Sequence, residues 1–501
     1  MKTARIAALC AVILSVIAGT SGATGIDFTK FYSVSSSDSS ASLWTVDPQS
    51  GAVAKVVDLK LPGGGTPSFM TNTIAFSPSN TLYGWDTNSA TNSKQLYTID
   101  ISTGQITYLP NTNSQMDTNL INGMSFVNPG TDTPMLYGIA GATDKLYSIN
   151  PLTGEATAAG DSYVNVKHVG MAVNFGTNQL YAVSGWADGM PDYLLKITPN
   201  PVPVLNEDTK NKLGTYSVTY PQSAGGTGIS YNGSGYIHMD GTADSGSWTQ
   251  ASVRAEKTMS DLPRSGYAKL NFTLVGDGAG QSRIFFDIKK DDNNLYRFIV
   301  TDDTYGSSGY TQGVVKIVNG IEVNRVTGPG TVALGGNETG SSVTAINQNV
   351  VMEIWWDPTY LKLVVNGVQV AFLSTSDTTI IDATKFALTS YRFDTDWKSI
   401  DIEPGVAQIV GVLGTDSNDV SAEFDPISGK LYTVRDSCRL YSLDIDTGAA
   451  TLVAELGDGF HSTNLAHAWP DAAPVPEPGT LMLLGSGLIG LAAYGRKKLK
   501  K

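Results

Sequence analysis

Residues 73–109 read TIAFSPSNTLYGWD…QLYTIDISTGQITYL, and this stretch decides the fold because the chain repeats it. The pattern is an apolar strand ending near proline, a Leu-Tyr strand, a second Leu-Tyr strand, then Thr-Gly and a short last strand. It recurs from Gly123 as GMSFVNPGTDTPMLYGIA…KLYSINPLTGEATAAG and from Val420 as VSAEFDPISGKLYTVRD…RLYSLDIDTGAATLVAEL. A partial copy, GMAVNFGTNQLYAVSG…YLLKITPNP, starts at Gly170. Four β-rich segments per unit, separated by turn residues, are what a propeller blade requires. Asp or Asn followed by two residues and Gly is read as the tight turn, with glycine supplying positive φ. The Leu-Tyr tyrosines are read as core and inter-blade residues.

The ends of the chain supply a further unit. ASLWTVDPQSGAVAKVVDL, residues 41–59, is the second half of one, with Trp44 where the others have tyrosine. STNLAHAWPD, residues 462–471, is a first strand without its continuation. Joining them makes a composite blade that hides the two open ends of the ring and brings the count to five.

The partial copy stops at Ile197–Pro201 without its last strand, which reappears as GVAQIVGVLG, residues 405–414. The first Leu-Tyr tyrosines are Tyr83, Tyr137, Tyr181 and Tyr432, so the gaps are 54, 44 and 251. Removing about 200 residues restores the spacing, so a whole domain is predicted at an exposed blade turn. The expected organisation is a leader over 1–23, propeller over 26–203, insert over 204–404, propeller over 405–471 and a separate tail over 475–501.

The insert alternates apolar and polar residues in YAKLNFTLVG, VVMEIWWD and YLKLVVNGVQVAFL, with Asn366-Gly367 as a two-residue hairpin signal. Many antiparallel strands with little helix predict a two-sheet sandwich. The order NNLYRFIV, VVKIVNG, VMEIWW…LKLVVNGVQVAFL, TDWKSIDIEP resembles the laminin-G and concanavalin-like jelly-roll superfamily. That resemblance implies glycan binding and, in some members, glycan hydrolysis. A retaining glucanase of this kind would carry Glu-x-Asp-x-x-Glu on one strand. Glu353-Ile-Trp-Trp-Asp357 has different spacing, so catalysis is not expected. Strand alternation puts Met352, Ile354 and Trp356 on one face and Glu353, Trp355 and Asp357 on the other. Trp355 on a polar face is a candidate sugar-stacking residue, with Glu353 and Asp357 beside it; the competing reading is an aromatic shielded by a loop.

Other chemistry is sparse. Asp291, Asp292, Asp394 and Asp396 are weak Ca²⁺ candidates without a defined ligand spacing. No other cofactor is expected. His168, His238, His461 and His467 lack zinc spacing, and no nucleophile elbow or phosphate loop is present.

The first residues, MKTARIAALCAVILSVIAGTSGATG, combine a positive start, an apolar run and a small-residue cleavage site, as a secretory signal peptide does. Its removal leaves Cys438 alone, so no intramolecular disulfide is expected and the thiol reads as a small buried hydrophobe. The net charge of −13 becomes −20 when Lys2, Arg5 and the five basic residues after Gly495 are left out. So acidic a surface argues against nucleic-acid partners.

The chain ends in PVPEPGTLMLLGSGLIGLAAYGRKKLKK. Val475-Pro476-Glu477-Pro478, the short apolar segment and the basic end resemble the PEP-CTERM sorting signal of Gram-negative bacteria. The resemblance implies that an inner-membrane exosortase reads Pro476, Glu477 and Pro478 while the apolar segment briefly holds the protein in that membrane. The product then joins the cell surface or an extracellular polysaccharide matrix. The expected function is therefore structural or adhesive, with glycan as a partner; a carbohydrate-active enzyme and a purely architectural spacer are the alternatives.

Overall fold

The structure is a computed structural model. It describes residues 25–470 except 38–39, 66, 68–70, 87–94, 110–120, 129–133, 165, 167, 186–191, 220–227, 242–252, 278–282, 302–312, 328–343, 358–359, 375–379, 381, 414–419, 436–437, 458–459 and 461–463. The leader, His461 and the Pro-Glu-Pro tail lie outside the described residues.

Five four-stranded antiparallel sheets form the propeller. The second blade is Thr71–Phe76, Leu82–Asp86, Gln95–Ile99 and Ile106–Tyr108; the third is Ile121–Val127, Met135–Ala140, Lys145–Ile149 and Ala156–Asp161. The fifth is Glu423–Phe424, Leu431–Arg435, Arg439–Leu443 and Ala450–Glu455. In the fourth, His168–Asn174, Gln179–Gly185 and Tyr193–Ile197 take their outer strand from Ala407–Val412, with Ile197 opposite Ala407. The first blade is composite: Ala466–His467 pairs with Phe31–Ser37, followed by Ser40–Val46 and Val53–Asp58. The innermost strands adjoin one another around the axis.

Local chemistry explains the repetition. At the turn after the third strand, an Asp or Asn carboxyl or amide oxygen accepts the N–H groups two and three residues on. The glycine four residues on donates its N–H to the Asp or Asn carbonyl at positive φ. Asp47 with Gly51, Asp100 with Gly104, Asn150 with Gly154 and Asp444 with Gly448 all do this. The glycine thus stands four residues after the Asx, one further than the predicted turn, because the Asx side chain caps a complete helical-type turn. Serine or threonine hydroxyls donate to several of the same carboxylates. Those hydrogen bonds hold Asp100 below the usual carboxylate range, and the Lys30 ammonium holds Asp47 at about 2.

The tyrosines sit at blade seams. Tyr32 meets Phe76 at 5.2 Å, Tyr83 meets Phe126 at 5.3 Å, Tyr181 meets Phe424 at 5.5 Å and Tyr432 meets Phe31 at 5.4 Å. Each contact joins one sheet to the next around the ring. Trp469, just after the closing strand, packs against the apolar clusters of several blades and donates its indole N–H to the Phe76 carbonyl at 2.8 Å. Cys438 is partly exposed rather than buried, because it lies in the turn between the second and third strands of the fifth blade.

Between Ile197 and Ala407 the chain builds a sandwich of an eight-stranded and a seven-stranded antiparallel sheet. The larger sheet runs Gly228–Tyr231, Ile237–Asp240, Phe393–Pro404, Gly266–Asp277, Thr344–Trp356, Tyr360–Val365, Val368–Ser374, with Leu205–Asp208 beside the far half of Phe393–Pro404. The second runs Ser217–Thr219, Val253–Thr258, Lys385–Tyr391, Arg283–Asp291, Asn294–Thr301, Gly313–Val318, Ile321–Thr327. The core between them includes Phe272, Phe286, Phe298, Trp356, Phe393 and Trp397. The second sheet also buries its other face, where Phe285, Ile299, Val315 and Tyr391 cluster around a bidentate Arg297–Asp287 pair with N···O distances of 2.8 and 2.7 Å. Among the described residues no helix is long and apolar enough to cross a membrane.

Candidate functional site

Strand Thr344–Trp356 behaves as its alternation predicts over most of its length. Met352, Ile354 and Trp356 are buried in the sandwich core, and the Trp356 indole donates to the Pro263 carbonyl at 3.1 Å. Glu353 and Trp355 point to the opposite face and are half-buried. Asp357 departs from the expected pattern. It lies just beyond the strand, fully buried, and accepts the Tyr360 N–H at 2.9 Å as the strand turns back.

Register then aligns Trp355 with residues the sequence reading did not single out. Tyr267 stands opposite Trp355, Trp355 opposite Lys362, and Lys362 opposite Phe372, so four neighbouring strands present one straight row. Glu403 stands opposite Tyr267 on its other side. Phe372 is 44% exposed, unusual for a phenylalanine on a sheet face. The Trp355 and Tyr267 rings are 4.9 Å apart, and the Lys362 ammonium lies 4.2 Å from the indole centroid. The Tyr267 hydroxyl donates to Glu353 Oε1 at 2.7 Å, and burial followed by that carboxylate pushes the phenol well above its ordinary range. Phe372 stacks on Tyr360 at 5.6 Å. Cross-strand aromatic rows of this kind follow from strand pairing, since directly opposed side chains share a face.

The propeller reaches this face. Tyr163, in the loop after Ala156–Asp161, stacks on Tyr267 at 5.6 Å with an interplanar angle of 25°. Its hydroxyl donates to Glu403 Oε2 at 3.4 Å, and its carbonyl accepts the Tyr360 hydroxyl at 3.5 Å. Tyr163 has φ of 51°, a left-handed backbone that a bulky side chain adopts only when held there. Asp161 accepts the Tyr163 N–H at 3.0 Å, and the Ser162 hydroxyl bonds both the carbonyl and the N–H of Val164. Three carboxyl groups gather behind this loop. Burial pushes Asp144 up to about 7 despite the Val166 N–H it accepts, and burial likewise raises Asp161; Asp357 adds negative charge beside Asp144.

The cation candidates fall at two separate places. Asp291 accepts the Asn293 N–H and the Asn294 amide at a hairpin turn, while Asp292 pairs with Lys289 at 2.5 Å and Arg254 at 3.4 Å. Asp394 and Asp396 share the outer face of the larger sheet, and His238 lies between them, Nε2 3.1 Å from Asp394 and Nδ1 2.7 Å from Asp396. The Asp396 hydrogen bond raises the imidazole pKa, and burial raises Asp394 to about 6. Lys289 and Arg254 thus engage Asp292 and His238 engages both Asp394 and Asp396, whereas Asp291 accepts neutral asparagine N–H groups. Among the described residues no group of three or more His, Cys, Asp and Glu could hold a metal ion.

The tail decides the protein's destination. Residues 474–498 match the model of the PEP-CTERM protein-sorting motif. This chain is an exported protein carrying a PEP-CTERM signal. Pro476, Glu477 and Pro478 lie within the match, and exosortase processing at the membrane goes with it. No curated protein matches the sequence. Among solved structures the chain is similar to a carbohydrate binding module from Bacillus subtilis, at 11% identity over 38% of this chain and 95% of that one, TM-score 0.24. It is also similar to a Bacillus subtilis protein of unknown function with a galectin-like fold, at 10% identity over 43% and 99%, TM-score 0.29. A third likeness is to a Bacillus licheniformis beta-glucanase, at 11% identity over 40% and 96%, TM-score 0.27. The sheet topology, rather than these likenesses, establishes the fold.

Proposed function

We propose that this exported PEP-CTERM protein is a structural or adhesive component of the cell surface or extracellular polysaccharide matrix of a Gram-negative bacterium. It is held there by glycan bound across the Tyr267–Trp355–Lys362–Phe372 row. The observation that carries this reading is the alignment of Trp355 and the exposed Phe372 on one sheet face with carboxylates beside them. Sugar rings present apolar C–H faces for stacking and hydroxyls for acceptors, and an aromatic row flanked by Glu353 and Glu403 offers both. The Lys362 ammonium holds the indole from one side, so a sugar either displaces it or uses it as a hydroxyl donor.

The test is binding of the purified mature chain to a polysaccharide array containing neutral and acidic glycans. Trp355→Ala is expected to weaken binding at least tenfold with the thermal midpoint unchanged within a few degrees. Binding indifferent to Trp355 moves the site elsewhere, and a chain that binds no glycan yet self-associates favours the architectural spacer.

Asp144, with its carboxyl pushed up to about 7 near the same face, favours a second reading as a glycan hydrolase, since a general acid needs such a carboxyl. Release of reducing sugar that disappears in Asp144→Asn would establish that reading, and none is expected.

A further inference from the structure

We infer that the propeller completes the binding site, and that the groove it walls selects an uncharged glycan chain lying across the strands. This rests on reading the aromatic row as a glycan site. Tyr163 covers the face of Tyr267, so one aromatic platform of the row is already occupied by the propeller. The platforms left to a ligand are Trp355 and Phe372, separated by the strand that carries Lys362. Two strand spacings put them about 10 Å apart, a span comparable to two sugar units along a chain.

Tyr163 is fixed at three points: its ring on Tyr267, its hydroxyl on Glu403 and its carbonyl on the Tyr360 hydroxyl. Tyr360 in turn stacks on Phe372, so the propeller loop braces both ends of the row. A binding surface on one domain is thereby bounded by a rigid wall from another, a common location for ligand clefts. Tyr163 is a specificity-determining residue on this account: it closes one flank, and the chain must run along the row rather than over it.

Charge sets the ligand class. Lys145 and Lys362 both face Asp161, and Lys269, two residues along the strand from Tyr267, faces Asp401. Against these three cations stand Asp161, Asp401, Glu353 and Glu403, and the two glutamates already accept tyrosine hydroxyls. The whole chain is acidic as well, at −13 with its basic ends included. A uronate-rich chain entering this groove meets a surplus of like charge, whereas neutral hydroxyl-rich chains find acceptors.

The experiment compares the full mature protein with Trp355→Ala, Tyr163→Asn and Tyr163→Phe, using cellohexaose, laminarihexaose and a polygalacturonate hexamer as probes in calorimetry, alongside the polysaccharide array. Asparagine tolerates the left-handed backbone, so it removes the ring without forcing the loop to refold. Expected is binding of a neutral glycan at least tenfold tighter than of polygalacturonate. That binding is lost in Trp355→Ala, weakened at least tenfold in Tyr163→Asn and held within about threefold in Tyr163→Phe. Wild-type affinity in a folded Tyr163→Asn overturns the composite groove while the row survives as the site. Trp355-dependent binding of polygalacturonate as tight as of neutral glycans overturns the charge selection. Glycan binding that ignores Trp355, or none at all, overturns the underlying site reading instead.

Discussion

Asp144 links one residue to the behaviour of the seam between the two domains. Its φ is 56°, its carboxylate accepts the Val166 N–H at 2.8 Å, and Asp161 and Asp357 lie close enough to add negative charge. Burial is the largest cause of its raised pKa. In the unfolded chain an aspartate titrates near 3.8, so the folded state binds this proton more tightly than the unfolded state does. The stabilising contribution is present below pH 4 and is lost as pH rises towards 7. Asp144→Asn is therefore expected to flatten the decline in urea midpoint between pH 4 and 7; an unchanged slope assigns that decline to other groups. At this scale the sequence was legible only in part. Trp355 and Glu353 were readable because strand alternation fixes their face. Tyr163, Asp144 and Asp161 were not, because they reach the site through docking of a second domain and no local pattern encodes that. Asp357 was misplaced because alternation stops where the strand turns.

The elements show why the blade motif recurs and where it must not vary. The innermost strands pack edge-on at the axis, and a Cβ on Gly170 would lie 2.2 Å from the backbone carbon of Ser421 and 2.3 Å from the Ala422 nitrogen. Gly123, one blade earlier, meets the Val169 carbonyl oxygen at 2.7 Å in the same way. These are the glycines opening GMSF and GMAV, so their recurrence near the start of the innermost strands is a packing requirement of ring closure. Gly170→Ala is expected to destabilise the protein by about 2–3 kcal/mol through displaced backbone, whereas Gly176→Ala, with a nearest contact of 3.4 Å, should cost less than about 1 kcal/mol. Equal urea midpoints for the two variants would show that the inner strands yield freely. Strand identity and the Leu-Tyr seams were legible from periodicity, whereas the turns were placed correctly but their Asx–Gly spacing was one residue short. The doubly buried second sheet was not, since charged residues in a strand signal a solvated face, yet Arg283, Asp287, Lys289 and Arg297 are all buried.

At the scale of the molecule, two unusual connections share one logic: sheet pairing holds segments that are distant in sequence. The ring closes through two residues, Ala466 and His467, and the Asn464 side chain extends that pairing by accepting the Val34 N–H at 2.7 Å and donating to its carbonyl at 3.0 Å. The sandwich leaves and re-enters the fourth blade at adjacent points, with Thr198 donating its N–H to the Val406 carbonyl at 2.7 Å. An insert whose ends meet in one hairpin can be removed without breaking the ring. Replacing residues 199–405 with Asn-Gly is expected to yield a two-residue hairpin and a propeller that unfolds cooperatively. Because Asp357 belongs to the sandwich, the excised ring should also expose Asp144, returning its carboxyl towards the ordinary range. Its stability should then decline less between pH 4 and 7 than that of the full chain. A ring that fails to fold would make the sandwich part of the propeller's own stability. A folded ring that keeps the full pH dependence would instead trace the burial of Asp144 to the third blade alone.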